Sequence, residues 1–232
     1  LRESPETAIQ KRKRRGNASR REVNPEEKLK KAIDSFMKTV STIDDELTQH
    51  CGLCADANSP LGNLRPLMKA LEISCHGVPW ILGTIVVLVT THIPEHFEIA
   101  VNLLIVLLGD LIIVALVKLL CQRQRPVHNK NDMFATVSID HYSFPSGHAS
   151  RAAMLAYFFA ERVFTDAATK GLISLWAMFV CMSRVLLGRH HVFDVLFGIF
   201  IGICEFKLLN LYWLPQQLCL DILEPFFGHF HL

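Results

Sequence analysis

The sequence predicts an all-α fold: an integral membrane helical bundle with about five to six spanning helices. Three observations lead there. Half of the 232 residues are hydrophobic, and the mean hydropathy is +0.28. The apolar residues concentrate between Val78 and Leu214, in runs near the ~20 residues that cross a bilayer. The formal charge of +2 hides an asymmetry, because residues 11–31 carry ten Lys and Arg against three Glu while the apolar runs carry few charges. A basic flank on an apolar body is the pattern of a membrane protein whose N-terminus stays in the cytosol.

Taken in order, residues 1–24 read as a polar, disordered basic tail. No aromatic interleaves the run KRKRR, so base stacking is not expected, and no nucleic-acid partner is expected. Asn24-Pro25-Glu26-Glu27 reads as a helix start, with a cap, a proline at the first helical position and acids in the first turn. Leu29, Ile33, Phe36, Met37, Val40, Ile43 and Leu47 follow at helical spacing. They predict an amphipathic helix over 25–50, with Lys28, Lys30, Lys31 and Lys38 on or near its polar face. Such a helix suits the membrane interface or the protein's own core. Residues 51–63 read as a loop containing CGLC. Seven cysteines exclude complete internal pairing.

The first span is placed at 74–92 and has the shortest apolar core. HIPEHFE, 92–98, reads as a tight turn. The second span, 99–120, contains Asp110, an acid that needs a polar partner on a neighbouring helix. A polar loop covers 121–145. The third, fourth and fifth spans are placed at 146–164, 171–187 and 191–213. The membrane domain is thus 51–213, followed by a C-terminal tail, 214–232.

Alternating spans bring one set of ends together. That face collects Lys118, Arg123, Arg125, His128, Ser146, Gly147, His148, Arg184, His190, His191 and Asp194. Snorkelling explains any single cation at a membrane edge, but not histidines and a serine arriving with several cations. The chemistry this set suits is phosphoryl transfer. Lys118, Arg125 and Arg184 can hold the equatorial oxygens. Ser146-Gly147-His148 at a helix start offers backbone amides to an anion. His190 and Asp194, four apart, are expected to share a helix face, with the carboxylate orienting an activated imidazole. His148 is then the acid for the leaving oxygen.

KLLCQRQRP, FPSGH and SRVLLGRHHVFD, in this order across 77 residues, resemble the three-part signature of the type 2 phosphatidic acid phosphatase superfamily, which also includes vanadium haloperoxidases. The resemblance covers roughly 60–213. RPLMKALEISCHGVPW, NKNDMFATVSIDHYSFPSGHASRAAM and SRVLLGRHHVFDV are most similar to the polyisoprenoid diphosphate/presqualene diphosphate phosphatase branch. It implies His190 as the nucleophile that forms a phosphohistidine, Asp194 as its orienting partner and His148 as general acid. It also implies Lys118, Arg125, Ser146, Gly147 and Arg184 as phosphate ligands, with no metal and no cofactor. Arg123 and Arg189 flank the site, within reach of a diphosphate. His191 is expected to be accessory. The expected partners are the bilayer and a lipid phosphate or isoprenoid diphosphate. The expected location is the endoplasmic reticulum or nuclear envelope, with N-terminus and site on the cytosolic face. The alternative is a non-catalytic membrane scaffold of the same fold. A haloperoxidase is disfavoured by the bilayer-length runs.

Overall fold

The computed structural model describes residues 25–127, 129 and 141–227. The basic tail, His128 and 130–140 lie outside them. The chain divides into two compact units, 1–43 and 44–232. Helix α1, Pro25–Gln49, begins with Glu26 and Glu27 in its first turn, where acids favour the positive helix end. Within the first unit Lys31 pairs with Glu27 at 2.7 Å, one turn away. Leu29, Ile33, Phe36, Met37 and Ile43 stand exposed, so the predicted apolar stripe is present. The last turn and a half of α1, from Asp44, belongs to the second unit.

The second unit contains α2 (Arg65–Ser74), α3 (Gly77–Thr90), α4 (Pro94–Cys121), α5 (Gly147–Arg162), α6 (Ala167–Leu186), α7 (Val192–Leu211) and α8 (Gln216–Phe227), with a short 3-10 turn at Gly62–Leu64. Helix α5 is central and packs on α4, α6 and α7. Lipid tails are as apolar as leucine, so close packing must hold such helices together. The sequence supplies it with Gly198 and Gly202 on α7. A Cβ at Gly198 would stand 2.5 Å from the Ser146 carbonyl, and one at Gly202 would strike the Ser150 carbonyl. The two backbones therefore touch along a small-xxx-small stripe. Leu107, Met154, Leu155, Phe158 and Phe206 fill the space between α4, α5 and α7.

Asp110 is fully buried and pairs with Arg151 of α5 at 2.7 Å. The acid in the second span thus has the partner it needed. Ser150 donates to Glu205 of α7 at 3.4 Å, extending this polar seam. At the far end Asn102 of α4 donates to the Leu214 carbonyl at 2.9 Å and accepts the Leu214 amide at 3.0 Å. Arg162 lies over the Trp213 ring, 4.2 Å from its centroid.

Several placements differ from expectation. HIPEHFE is not a full turn, because Pro94 takes a position in the first turn of α4 and starts it there. The first span is a pair, 62–74 and 77–90, bent by 43° at Cys75-His76. Among the described residues only α4 and α6 are individually long and apolar enough to cross a membrane, with the bent pair as a third. Helix α5 has 16 residues, or about 24 Å, and α7 carries Asp194, Glu205 and Lys207. Both put polar residues into the bundle interior rather than presenting a uniform apolar surface. The remainder after 214 includes a helix, α8.

Candidate active site

Helix α6 ends in a Schellman motif: Arg189 N–H reaches the Arg184 carbonyl at 3.0 Å and Gly188 N–H the Val185 carbonyl at 2.9 Å. Gly188 has φ 67°, a left-handed conformation that glycine adopts without penalty. The chain folds back, and the His190 amide also points at the Arg184 carbonyl, 3.3 Å away. The spacing in SRVLLGRH is therefore a helix ending that returns the histidine to the arginine.

Two residues later α7 begins. His191 is its N-cap, and its amide donates to Asp194 Oδ2 at 2.8 Å. The next two orphan amides are capped by α1. Val192 N–H donates to Thr48 Oγ1 at 3.2 Å, and Phe193 N–H to Asp44 Oδ1 at 3.0 Å. Helix α5 starts alongside. Its N-cap Ser146 accepts the Ala149 amide through Oγ, and the Ser146 amide donates to the Asp194 carbonyl at 3.0 Å. Two positive helix ends thus meet at one place. The Ser146 amide is consumed in joining them, which leaves its hydroxyl proton available to an anion.

His190 is 2% exposed. Its Nδ1 lies 2.7 Å from the Ser143 carbonyl oxygen. A carbonyl only accepts, so Nδ1 carries the proton and Nε2 keeps its lone pair. Asp194 Oδ2 is 3.9 Å from Nδ1, too far for a hydrogen bond. His190 precedes the N-cap, so the shared helix face expected for it and Asp194 does not form. Asp194 acts one step back: it accepts the Ser143 hydroxyl at 2.5 Å, and Ser143 supplies the carbonyl. Burial, with the charges of Arg125, Arg184 and Lys118 around it, holds the His190 pKa well below the usual imidazole range.

The other predicted residues gather here. Lys118 and Arg184 are buried. Arg125 donates to the Arg189 carbonyl at 3.1 Å. His148, in the first turn of α5, has a buried Nε2 with no hydrogen-bond partner among the described residues. Arg123 goes elsewhere. It bridges Asp44 at 2.6 Å, Asp194 at 2.8 Å and Asp45 at 3.3 Å, so it organises the site's support rather than facing a substrate. His191 joins the same network, with Nδ1 3.1 Å from Asp194 and Nε2 3.1 Å from Asp45. Asp44, His191 and Asp194 offer ligand atoms within 4.8 Å of one another, and the guanidinium of Arg123 bridges the two carboxylates. Arg189 is fully buried and stands with Arg184 on Glu72 of α2, at 3.5 and 3.4 Å.

Sequence reasoning missed Ser143, Glu72, Asp44 and Thr48. The first acts through its backbone and a hydroxyl inside a polar loop. The others sit on helices whose docking no local pattern announces.

Residues 99–217 match the family model described as PAP2 superfamily, and this stretch holds every residue from Lys118 to Asp194. The chain belongs to the PAP2 superfamily. Over 130 residues it is 42% identical to the "probable lipid phosphate phosphatase beta" of Arabidopsis thaliana, covering 45% of this chain and 61% of that relative. The crystal structure of the first transmembrane PAP2 type phosphatidylglycerolphosphate phosphatase from Bacillus subtilis superposes with a TM-score of 0.56 at 23% identity, over 75% of this chain and 86% of that one. The all-α membrane bundle is thus a PAP2 fold, with its histidines at the junction of α5, α6 and α7.

Proposed function

We propose that this PAP2 protein is a membrane phosphatase that removes phosphate from isoprenoid diphosphates or lipid phosphates. The observation that carries the reading is the state of His190. It is a buried, neutral imidazole with Nδ1–H held on a carbonyl, and its free Nε2 stands among Lys118, Arg125 and Arg184. Nε2 attacks phosphorus, and a phosphohistidine forms. The three cations, the Ser146 hydroxyl and the Gly147 amide hold the phosphoryl oxygens. His148 protonates the leaving oxygen, and water then releases phosphate. Asp194 keeps Ser143, and through it His190, in place. The interfacial helix α1 meets anionic lipid through Lys28, Lys30, Lys31 and Lys38, with its apolar stripe in the acyl boundary. The resemblance to the isoprenoid diphosphate branch favours an internal membrane, and the basic run at 11–31 favours a cytosolic site.

The test is phosphate release by sealed microsomes carrying the protein, with farnesyl, geranylgeranyl and presqualene diphosphates compared with phosphatidic acid. Release of phosphate from at least one substrate added outside, with no gain on adding detergent, is expected. No release from any of them, in detergent as well, contradicts the reading. Activity seen only in detergent contradicts the cytosolic placement alone.

A further inference from the structure

The break between α2 and α3 carries a histidine that the family signature does not use. Cys75, His76 and Gly77 are pinned to the start of α5 from three sides. Cys75 Sγ donates to the His148 carbonyl at 3.4 Å. Arg151 donates to the Cys75 carbonyl at 3.4 Å. A Cβ at Gly77 would stand 3.1 Å from the Arg151 guanidinium carbon, so the backbone lies against that side chain. The result is that the His76 ring meets the His148 ring edge-on, with centroids 6.1 Å apart. Unlike the nucleophile, His76 is partly exposed.

Its tautomer is fixed. His76 caps α3, and its Nδ1 accepts the Val78 amide at 3.3 Å. An accepting Nδ1 leaves the proton of the neutral ring on Nε2. A hydrogen-bond donor is thus held beside the acid that meets the leaving group.

We infer that His76 holds the departing phosphate of a diphosphate substrate, and so makes the site discriminate diphosphates from monophosphates. This rests on the phosphatase reading above. In the step, His190 Nε2 forms a bond to the terminal phosphorus. The bond from that phosphorus to the bridging oxygen breaks, and the bridging oxygen takes the proton of His148. The leaving group is the lipid monophosphate, whose remaining oxygens accept from His76 Nε2–H. A lipid monophosphate has no second phosphate there, and the donor gains nothing from it. A site built to hydrogen-bond a substrate group loses most on the substrate lacking that group.

The experiment uses the full chain with farnesyl diphosphate and farnesyl monophosphate, which differ only in that phosphate. His76→Asn keeps a side-chain oxygen where Nδ1 caps α3 and removes the distal nitrogen. The expected result is a fall of at least ~10-fold in the ratio of kcat/KM for diphosphate over monophosphate. Inhibition by inorganic phosphate, which occupies only the first phosphate position, is expected to persist. An equal loss on both substrates, an unchanged ratio, or loss of phosphate inhibition overturns the inference. A wild type that hydrolyses only the monophosphate also overturns it. A wild type inert on both farnesyl substrates overturns the inference, and it sinks the phosphatase reading as well only when phosphatidic acid is also left intact.

Discussion

At the scale of single residues, the signature positions were legible because their chemistry lies in their side chains. Lys118, Arg125, Ser146, Gly147, His148, Arg184, His190 and Asp194 lie around one junction. What orients His190 was not legible, because a backbone carbonyl has no sequence identity: any residue at 143 offers one. The carbonyl also makes a different prediction from a direct carboxylate. An imidazole paired with an anion gains basicity, whereas His190 sits on a neutral acceptor among three cations. Its pKa is lowered in the folded protein, so the unfolded chain binds the proton first as pH falls below the ordinary value of 6.5. Stability is therefore lost on acidification through that value, and the native ring stays neutral. In protein labelled at histidine, the imidazole signals that disappear in His190→Ala are expected not to titrate between pH 8 and ~6. A midpoint at 6.5 or above contradicts this account of the nucleophile.

At the scale of elements, most helices were readable from apolar runs, and their errors have causes. Pro94 starts α4 ahead of the expected second span at 99, because a proline serves the first turn of a helix as readily as a turn. The break at Cys75-His76 was not placed from the sequence, although Gly77 and Pro79 follow it; Cys75 there meets the His148 carbonyl of α5. The crossing of α5 and α7 was written in the sequence as Gly198 and Gly202, yet nothing local says which helix they face. The crossing makes a test. Gly202→Ala puts a methyl group into a backbone carbonyl, an overpacking that costs ~1–3 kcal/mol. Gly109→Ala on α4 meets nothing within 4 Å. In detergent, the first variant is expected to melt several degrees below wild type and the second at or above it. Equal melting temperatures contradict the close approach.

At the scale of the whole molecule, the second unit gathers the candidate site residues at five helix ends, the end of α4 supplying Lys118. Helix α6 ends by folding His190 back to Arg184. Helices α5 and α7 start side by side. The last turns of α1 cap α7, and Arg123 bridges Asp44 to Asp194. The fold class and the gathering of polar residues at one end of the bundle were legible because apolar runs and clustered polar ends are properties of the chain itself. The trans-capping by Asp44 and Thr48 was not, since nearly 150 residues separate Asp44 from Phe193. The phosphatase reading stands or falls on His190 carrying the phosphoryl group. The direct measurement is a rapid quench in alkaline detergent of the enzyme with substrate labelled in its terminal phosphate, followed by detection of acid-labile, base-stable phosphate on the protein. Wild type and His191→Ala are expected to trap label, while His190→Ala traps none and its turnover falls by at least ~10³. Label retained on His190→Ala, or lost only from His191→Ala, would contradict the account.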